Sequence, residues 1–310
     1  MDDYVLLIGA TLLDIKGRPD VGLEPGTSNP AAIRSTRGGT ARNVAENLAR
    51  LGATVTLLSA VGEDLTGQRL LEQTAASGVN LEYVQVIPEE NTGAYIALLE
   101  QDGTLSVALD DVRVMAYITP DYLNRMHTLF ARADMVMVDG SLTPAALKTA
   151  VRLAEQYQVP LCADPSSARL VYKLRPYLPH LHLVVPNEAE AIELGQLDDI
   201  DRSDADASIR MARQLVKAGV RHAVVTRSDF GLTYATSDEM GTIPARFSDM
   251  VDSTGTGDAI TAAIIFGMIN DLPTVESMRL GAAAAGLTLQ VLDTVVPELS
   301  LDMLYDHLIV

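Results

Sequence analysis

Seven consecutive residues, Asp252-Ser253-Thr254-Gly255-Thr256-Gly257-Asp258, carry the most chemistry in the sequence, and they run directly into an apolar helical stretch from Ala259. A Gly-x-Gly turn ahead of a helix lets several backbone N–H groups converge on one point. With the helix N-terminus they make a hole for an anion. Asp258 falls on the first helical turn, facing that hole, where a carboxylate can take the proton from an attacking hydroxyl. The plainer alternative is an ordinary glycine turn with Asp258 as a helix-capping acid.

Gly38-Gly39-Thr40-Ala41-Arg42-Asn43 opens a second helical pattern that runs to Leu51. Paired glycines let a ligand approach the backbone. Asn43, one turn in, offers both a donor and an acceptor to a sugar hydroxyl. Here the alternative is a Gly-Gly loop with Thr40 as N-cap and Asn43 solvated. Asp14 follows the first apolar run and Gly9, where a dinucleotide-binding fingerprint would stand. Gly9-Ala10-Thr11 does not fit Gly-x-Gly-x-x-Gly, so that reading is weak. A lone carboxylate at a strand end can instead grip a pair of hydroxyls or serve a turn.

These residues need a scaffold that brings strand ends and helix starts together. Short, continuously apolar runs at Val5–Ile8, Val55–Ser59, Met135–Val138, Pro160–Ala163, Leu183–Val185 and Ala223–Thr226 suit strands covered on both faces. Helical patterns lie between them at Ala41–Leu51, Thr66–Ser77, Pro120–Ala131, Pro144–Tyr157 and Ala205–Lys217. Strand and helix in alternation predict a doubly wound α/β domain over residues 1–310, with a mostly parallel sheet flanked by helices. Thr256–Asn270 and Val275–Thr288, rich in Ala, Gly and Met, predict closely packed helices near the core. Two segments break the alternation, about 15–36 and 81–115. The second holds an Asp102-Gly103 turn between Tyr95–Glu100 and Thr104–Leu109, a hairpin signal. Together they predict a small β-sheet lid.

The chain has 310 residues, 41 of them Asp or Glu against 23 Lys or Arg, for a formal charge of −18. That balance speaks against a nucleic-acid backbone or an anionic membrane as main partner, though not against a small polyanion held by backbone dipoles. Cys162 is the only cysteine, which excludes an intrachain disulfide and a multi-cysteine zinc site. It reads as a small core residue, and the five histidines show no ligand spacing. Met1–Tyr4 carries two acids and no basic start, and no apolar run reaches membrane-spanning length, so a cytoplasmic protein is expected. Lys16 and Arg42 can meet phosphate, but isolated basic residues are more often solvated.

Taken in order, these residues resemble the ribokinase-like (PfkB) carbohydrate kinase family over essentially the whole chain. Gly38-Gly39-x-x-x-Asn43, extended by Ala45-x-Asn47-Leu48-Ala49-x-Leu51-Gly52, resembles its N-terminal signature, and Asp252 to Asp258 its C-terminal one. Asn187-x-x-Glu190 and Thr226 to Gly231 stand between them in the family's order. The chain departs from the usual pattern at Ser253, Thr256, Ser228 and Ile260, which touches the shape of the nucleotide pocket but neither the carboxylate nor the paired glycines.

The resemblance implies a kinase using ATP and Mg2+, with Asp258 as the base and Gly255, Thr256 and Gly257 as the anion hole. It implies Asn187 and Glu190 positioning magnesium and phosphate through water, Thr226, Ser228 and Gly231 contacting the nucleotide, and Asp252 at a monovalent-cation (K+) site. Gly38, Gly39, Asn43 and Asp14 would hold the acceptor's hydroxyls, with Asp139 beside them. For Asn187 and Glu190 the alternative is a plain capping box.

Further segments, among them Thr27 to Ile33, Glu90 to Tyr95, Ala108 to Val112 and Ala163-Asp164-Pro165-x-Ser167, are similar to a branch whose acceptor is the 5′-hydroxyl of pseudouridine. Asn29, Thr92 and Asp111 are the candidates for its base, with turn chemistry as the alternative for Asn29 and Asp111. The other readings are a same-fold kinase of another nucleoside or a free sugar of ribose or fructose type, a NAD-dependent dehydrogenase, and a non-catalytic sugar sensor. A lid sheet with an exposed apolar face predicts a homodimer through the lid.

Overall fold

The computed structural model describes residues 3–308 except 102–103, 198–199, 202–203, 205, 228 and 248. The hairpin turn at Asp102-Gly103 and the nucleotide candidate Ser228 thus lie outside the described residues.

In chain order the strands are β1 (Tyr4–Ile8), β2 (Leu12–Pro19), β3 (Ala31–Gly38), β4 (Thr54–Leu58), β5 (Ala60–Gly62), β6 (Gln85–Ile87), β7 (Gly93–Leu99), β8 (Leu105–Asp111), β9 (Met135–Asp139), β10 (Leu161–Asp164), β11 (Leu183–Val184), β12 (His222–Thr226), β13 (Leu232–Ala235) and β14 (Met240–Ile243). The helices are α1 (Thr40–Arg50), α2 (Leu65–Ala75), α3 (Pro120–Arg125), α4 (His127–Phe130), α5 (Pro144–Tyr157), α6 (Glu188–Gly195), α7 (Ala207–Lys217), α8 (Thr256–Ile269), α9 (Thr274–Thr288) and α10 (Leu301–Asp306).

The main sheet has the order β14-β13-β12-β11-β10-β9-β1-β4. It is parallel from β4 to β12, and β13 and β14 pair antiparallel at one edge. β1 is buried along its whole length because its alternate side chains feed two cores. Leu6 and Ile8 pack with Val136, Val138 and the α5 residues Ala146 and Ala150, whereas Val5 and Leu7 pack with Ala41, Val44 and Leu48 of α1 and with α8. That is why the strand sequences are continuously apolar rather than alternating. α8 is apolar all round for a related reason, being sandwiched among α1, α9 and the sheet.

The expected single helix over Pro120–Ala131 is instead α3 and α4. Between them Met126 leaves helical geometry, and its N–H is shared by the carbonyls of Tyr122 and Leu123. The chain runs from β1 to β4 on one side and to β9 on the other, so the carboxyl end of β1 is a topological switch point, where α/β sheets bind ligands. Among the described residues no helix is long and apolar enough to cross a membrane.

The second sheet, β3-β2-β7-β8, is the expected small one. Its register sorts its residues by face. Asp14 sits opposite Thr36 and Tyr95, and Tyr95 opposite Asp110. On the other face Ile15, Ile96 and Leu109 line up, as do Gly17, Ile33, Leu98 and Val107. One face is therefore polar. The other is an exposed apolar strip that includes Ile33 at 75% and Leu109 at 66% accessibility.

Candidate active site

Consecutive parallel strands deliver acids and amides to one edge of the sheet. Asp139 ends β9, Asp164 ends β10, Asn187 follows β11 and Thr226 ends β12. α8 begins beside them. Gly255 is its N-cap at φ 82°, and a Cβ there would lie 2.0 Å from the Thr294 carbonyl oxygen, so only glycine fits. The Thr256 N–H and hydroxyl both turn back to the Ser253 carbonyl. The N–H groups of Gly255, Gly257 and Asp258 meet no acceptor among the described residues. Gly257 is exposed, with open space where a side chain would be. Free donors at a helix start, facing open space, are what an anion hole requires.

Asp258 stands on that first turn, half-buried rather than sealed. Its Oδ2 accepts from the Asn43 amide at 2.6 Å. Burial pushes its pKa up to about 6 against the opposing effects of Asn43 and Arg42. Asp14, on β2, is pushed up to about 7 by burial and by the charge of Asp258. Gly38 is what admits it, since a Cβ there would lie 2.0 Å from the Asp14 Oδ1. A base, an amide and a second carboxylate thus share one cleft, an arrangement able to grip and deprotonate an alcohol.

Asn43 is not solvated, and Thr40 is no N-cap; Gly39 fills that position without any side-chain cap. Arg42 is fully buried, contrary to its expected solvation. Its guanidinium bonds Glu46 and the Asn43 Oδ1, and meets Thr294 Oγ1 at 3.1 Å. Glu46, also fully buried, further accepts from Arg37 at 3.2 Å and Arg50 at 2.9 Å. The Thr294 hydroxyl donates to the Arg37 carbonyl at 2.7 Å.

Asp139 is committed to the frame. Its carboxylate accepts from the N–H groups of Ala10 at 2.8 Å, Ala41 at 3.2 Å and Ser141 at 2.9 Å, pinning the end of β1 to the start of α1. Thr92 likewise serves the fold, donating to Asp64 Oδ1 at 2.7 Å and accepting from the Gly62 N–H. Asn29 closes its own loop by bonding Glu24 and Thr27. Asp111 lies on the apolar face of the small sheet, paired with Arg113, while its neighbour Asp110 takes the polar face. Asp110 is raised by burial and by Asp139. Lys173, which donates to Leu142 O at 2.9 Å, is lowered by burial against the pull of Asp139 and Asp110. Neither Asp110 nor Lys173 is among the site residues expected from the sequence.

Asn187 caps α6, and with Glu190 it forms a full capping box, both bonds 2.9 Å. Glu190 is nevertheless buried and pushed up to about 7 by burial and by Asp258. Asp164, a strand-end acid the sequence reading did not assign, is raised by burial, Asp258 and Glu190. Three mutually repelling carboxylates suit a divalent cation. Among the described residues no group of three or more acids, His or Cys is close enough to hold an ion directly, and carboxylate oxygens are donors that magnesium takes, few at a time, beside its own waters. Asp252 differs. Both its oxygens accept from Lys16 Nζ, at 2.6 and 2.7 Å, so an alkali ion there would have to share the carboxylate with an ammonium. At the hairpin after β12, Thr226 bonds Pro186 and the Gly231 N–H is taken by Asp229 at 3.1 Å.

A separate cavity of about 330 Å³, lined by His180, His182 and Arg221, lies at the opposite, amino edge of the sheet.

A family model described as pfkB family carbohydrate kinase matches residues 2–300. Pseudouridine kinase of Escherichia coli K12 is 34% identical, across 96% of this chain and 94% of the relative. Guanosine-inosine kinase of Exiguobacterium acetylicum is 28% identical, across 95% and 97%. The structure of Arabidopsis thaliana ribokinase complexed with ribose and ATP superposes with a TM-score of 0.85 at 22% identity, covering 99% of each chain, a likeness of fold.

Proposed function

We propose that this chain, which belongs to the pfkB family of carbohydrate kinases, transfers the γ-phosphoryl group of ATP to the 5′-hydroxyl of pseudouridine. Membership makes it a phosphotransferase with an alcohol group as acceptor. The ribokinase-like fold is the one expected from the sequence.

The observation that carries the mechanism is the 2.6 Å bond from Asn43 to Asp258 beside the free N–H groups of α8. Asp14 and Asn43 hold the ribose hydroxyls in this reading, and Asp258 takes the 5′-proton as the oxygen attacks phosphorus. The Gly255, Gly257 and Asp258 amides receive the charge that develops on the transferring group. Thr226 and the β12–β13 turn at Gly231 take the nucleotide. Glu190, Asp164 and Asn187 would hold a magnesium ion, which when bound would offset the charge of the phosphates. The polar face of the lid covers the nucleoside and excludes water, which would otherwise compete as acceptor.

Pseudouridine is favoured because the polar face of the lid presents a carboxylate, Asp110, on the same side as Asp14, and the Lys173 ammonium is near enough for Asp110 to act on it. A base with donor and acceptor edges needs both kinds of partner. The likeness to the Escherichia coli enzyme points the same way. A panel of pseudouridine, uridine, adenosine, inosine, ribose and fructose with ATP tests this. A kcat/KM for pseudouridine at least tenfold above the others is expected, and a higher value for a free sugar would overturn it.

We read the chain as one cytoplasmic kinase unit. The apolar strip on the outer face of the lid is where a second copy packs, and Leu109→Lys should then convert a dimer to a monomer in light scattering.

A further inference from the structure

Lys16 and Asp252 are 236 residues apart in sequence, yet the Lys16 ammonium sits 2.6 and 2.7 Å from the two Asp252 oxygens and also bonds the Thr254 hydroxyl. Both side chains are largely buried, at 15% and 17% accessibility. Asp252 in turn accepts from the Thr254 N–H at 2.9 Å, and the adjoining backbone at Val251 is tied to the Leu289 carbonyl at 2.7 Å. This ammonium therefore organises the first half of the loop whose second half, from Gly255, supplies the free N–H donors.

Lys16 is two residues from Asp14 on β2, so it shares the polar face of the lid. A cation adjoining an anion hole lowers the cost of bringing phosphate charge there. An alkali ion at Asp252 would do the same work, but it would have to share a carboxylate whose two oxygens an ammonium already occupies.

We propose that the Lys16 ammonium is the resident cation of this loop, a positioning residue that stands in for an alkali ion, and that phosphoryl transfer by this protein is independent of K+. Because Lys16 rides on a lid strand, the charge is tethered to the element that covers the acceptor.

The inference rests on phosphoryl transfer and not on which acceptor is preferred. A different best acceptor with an unchanged salt response would refute only the pseudouridine reading. The test uses the full chain with Mg·ATP and the best acceptor of the panel, in KCl or in tetramethylammonium chloride of equal ionic strength. Wild-type kcat is expected to agree within about twofold between the two salts. Lys16→Met should lose at least about tenfold in tetramethylammonium and recover most of that loss, saturably, on adding K+ or ammonium ion. Mg·ADP affinity by calorimetry should follow the same pattern, independent of any acceptor.

Wild-type activation or tighter Mg·ADP binding by tenfold or more in K+ would overturn the proposal. So would a Lys16→Met protein as active as wild type without K+, or one that is folded by its thermal midpoint yet not rescued by K+. Should Lys16→Met fail to fold, the wild-type comparison still decides.

Discussion

The side-chain amide of Asn43 on α1 donates to the carboxylate of Asp258 on α8 at 2.6 Å, which joins the two glycine-bearing motifs of the chain in one contact. The amide orientation is imposed from behind, since the Asn43 Oδ1 accepts from the Arg42 guanidinium, with the Thr294 hydroxyl 3.1 Å away. An Asn held in this way always offers its NH2 to the base. Asn43→Ala should therefore do two things. It removes an acceptor contact, raising KM for the nucleoside more than for ATP, and it moves the acid limb of kcat/KM to higher pH, because the donor that favours the charged carboxylate is gone. Equal effects on both KM values would argue against sugar contact.

Replacing the base itself isolates its chemistry. Asp258→Asn should lower kcat by about 10²–10⁴ while the thermal midpoint stays near wild type. Near-normal turnover would remove Asp258 from its role.

The acidity of the cleft sets a pH profile. With Asp258 pushed up to about 6, kcat/KM should fall as pH drops through about 6, following loss of the deprotonated base. Stability should run the other way in the ligand-free protein. Asp14 and Glu190 are pushed up to about 7, so the native state binds protons more tightly than the unfolded chain, whose carboxyls titrate near ~4. Their favourable contribution is complete below ~4 and is lost as pH rises through about 7. Urea titrations at pH 5 and pH 8 without ligand, then with Mg·ADP, should show greater ligand-free stability at pH 5 and a narrower gap with nucleotide bound.

Adjacent aspartates on β8 give a paired test. Asp110 faces Asp14 through Tyr95, and Asp111 faces away. Asp110→Asn should raise acceptor KM roughly 10- to 100-fold, the range for losing a charged hydrogen bond, and Asp111→Asn should leave it within about twofold. Matching effects of the two would mean that the face assignment does not govern recognition.

The main sheet was legible because each parallel strand is apolar on both faces, and the helices between them keep their period. The two glycine motifs fell where strand ends and helix starts converge, so Asp258, Asn43 and Asp14 were found from residue type and position. Asp110 was passed over for Asp111 because a strand's side chains alternate, and only the pairing register says which of two neighbouring acids points inward. That register shifts at Leu98 and Leu99, which sequence does not announce. Arg42 taken singly looks like a solvated cation, yet the acid that pairs with it, Glu46, lies four residues on, a spacing that marks a helical ion pair. Lys16 with Asp252, and Thr294 with Arg37, join segments hundreds of residues apart, and no local pattern encodes such contacts.

The buried knot around Glu46 carries its own mechanical test. Glu46→Ala removes the only carboxylate that pairs directly with the buried Arg42 guanidinium among the described residues and should cost about 3–5 kcal/mol in urea unfolding. A loss below about 1 kcal/mol would show that water reaches the site.

Thr294 lies C-terminal to both glycine motifs, yet its hydroxyl grips Arg37 and Asn43 and its carbonyl presses against Gly255. A chain emerging from the ribosome thus exposes both motifs before the piece that locks them together has been made. Catalytic competence must therefore arrive late in synthesis, since a nascent chain ending short of this threonine lacks both the contact that sets the two motifs and the core side chains Val296, Leu299 and Leu304.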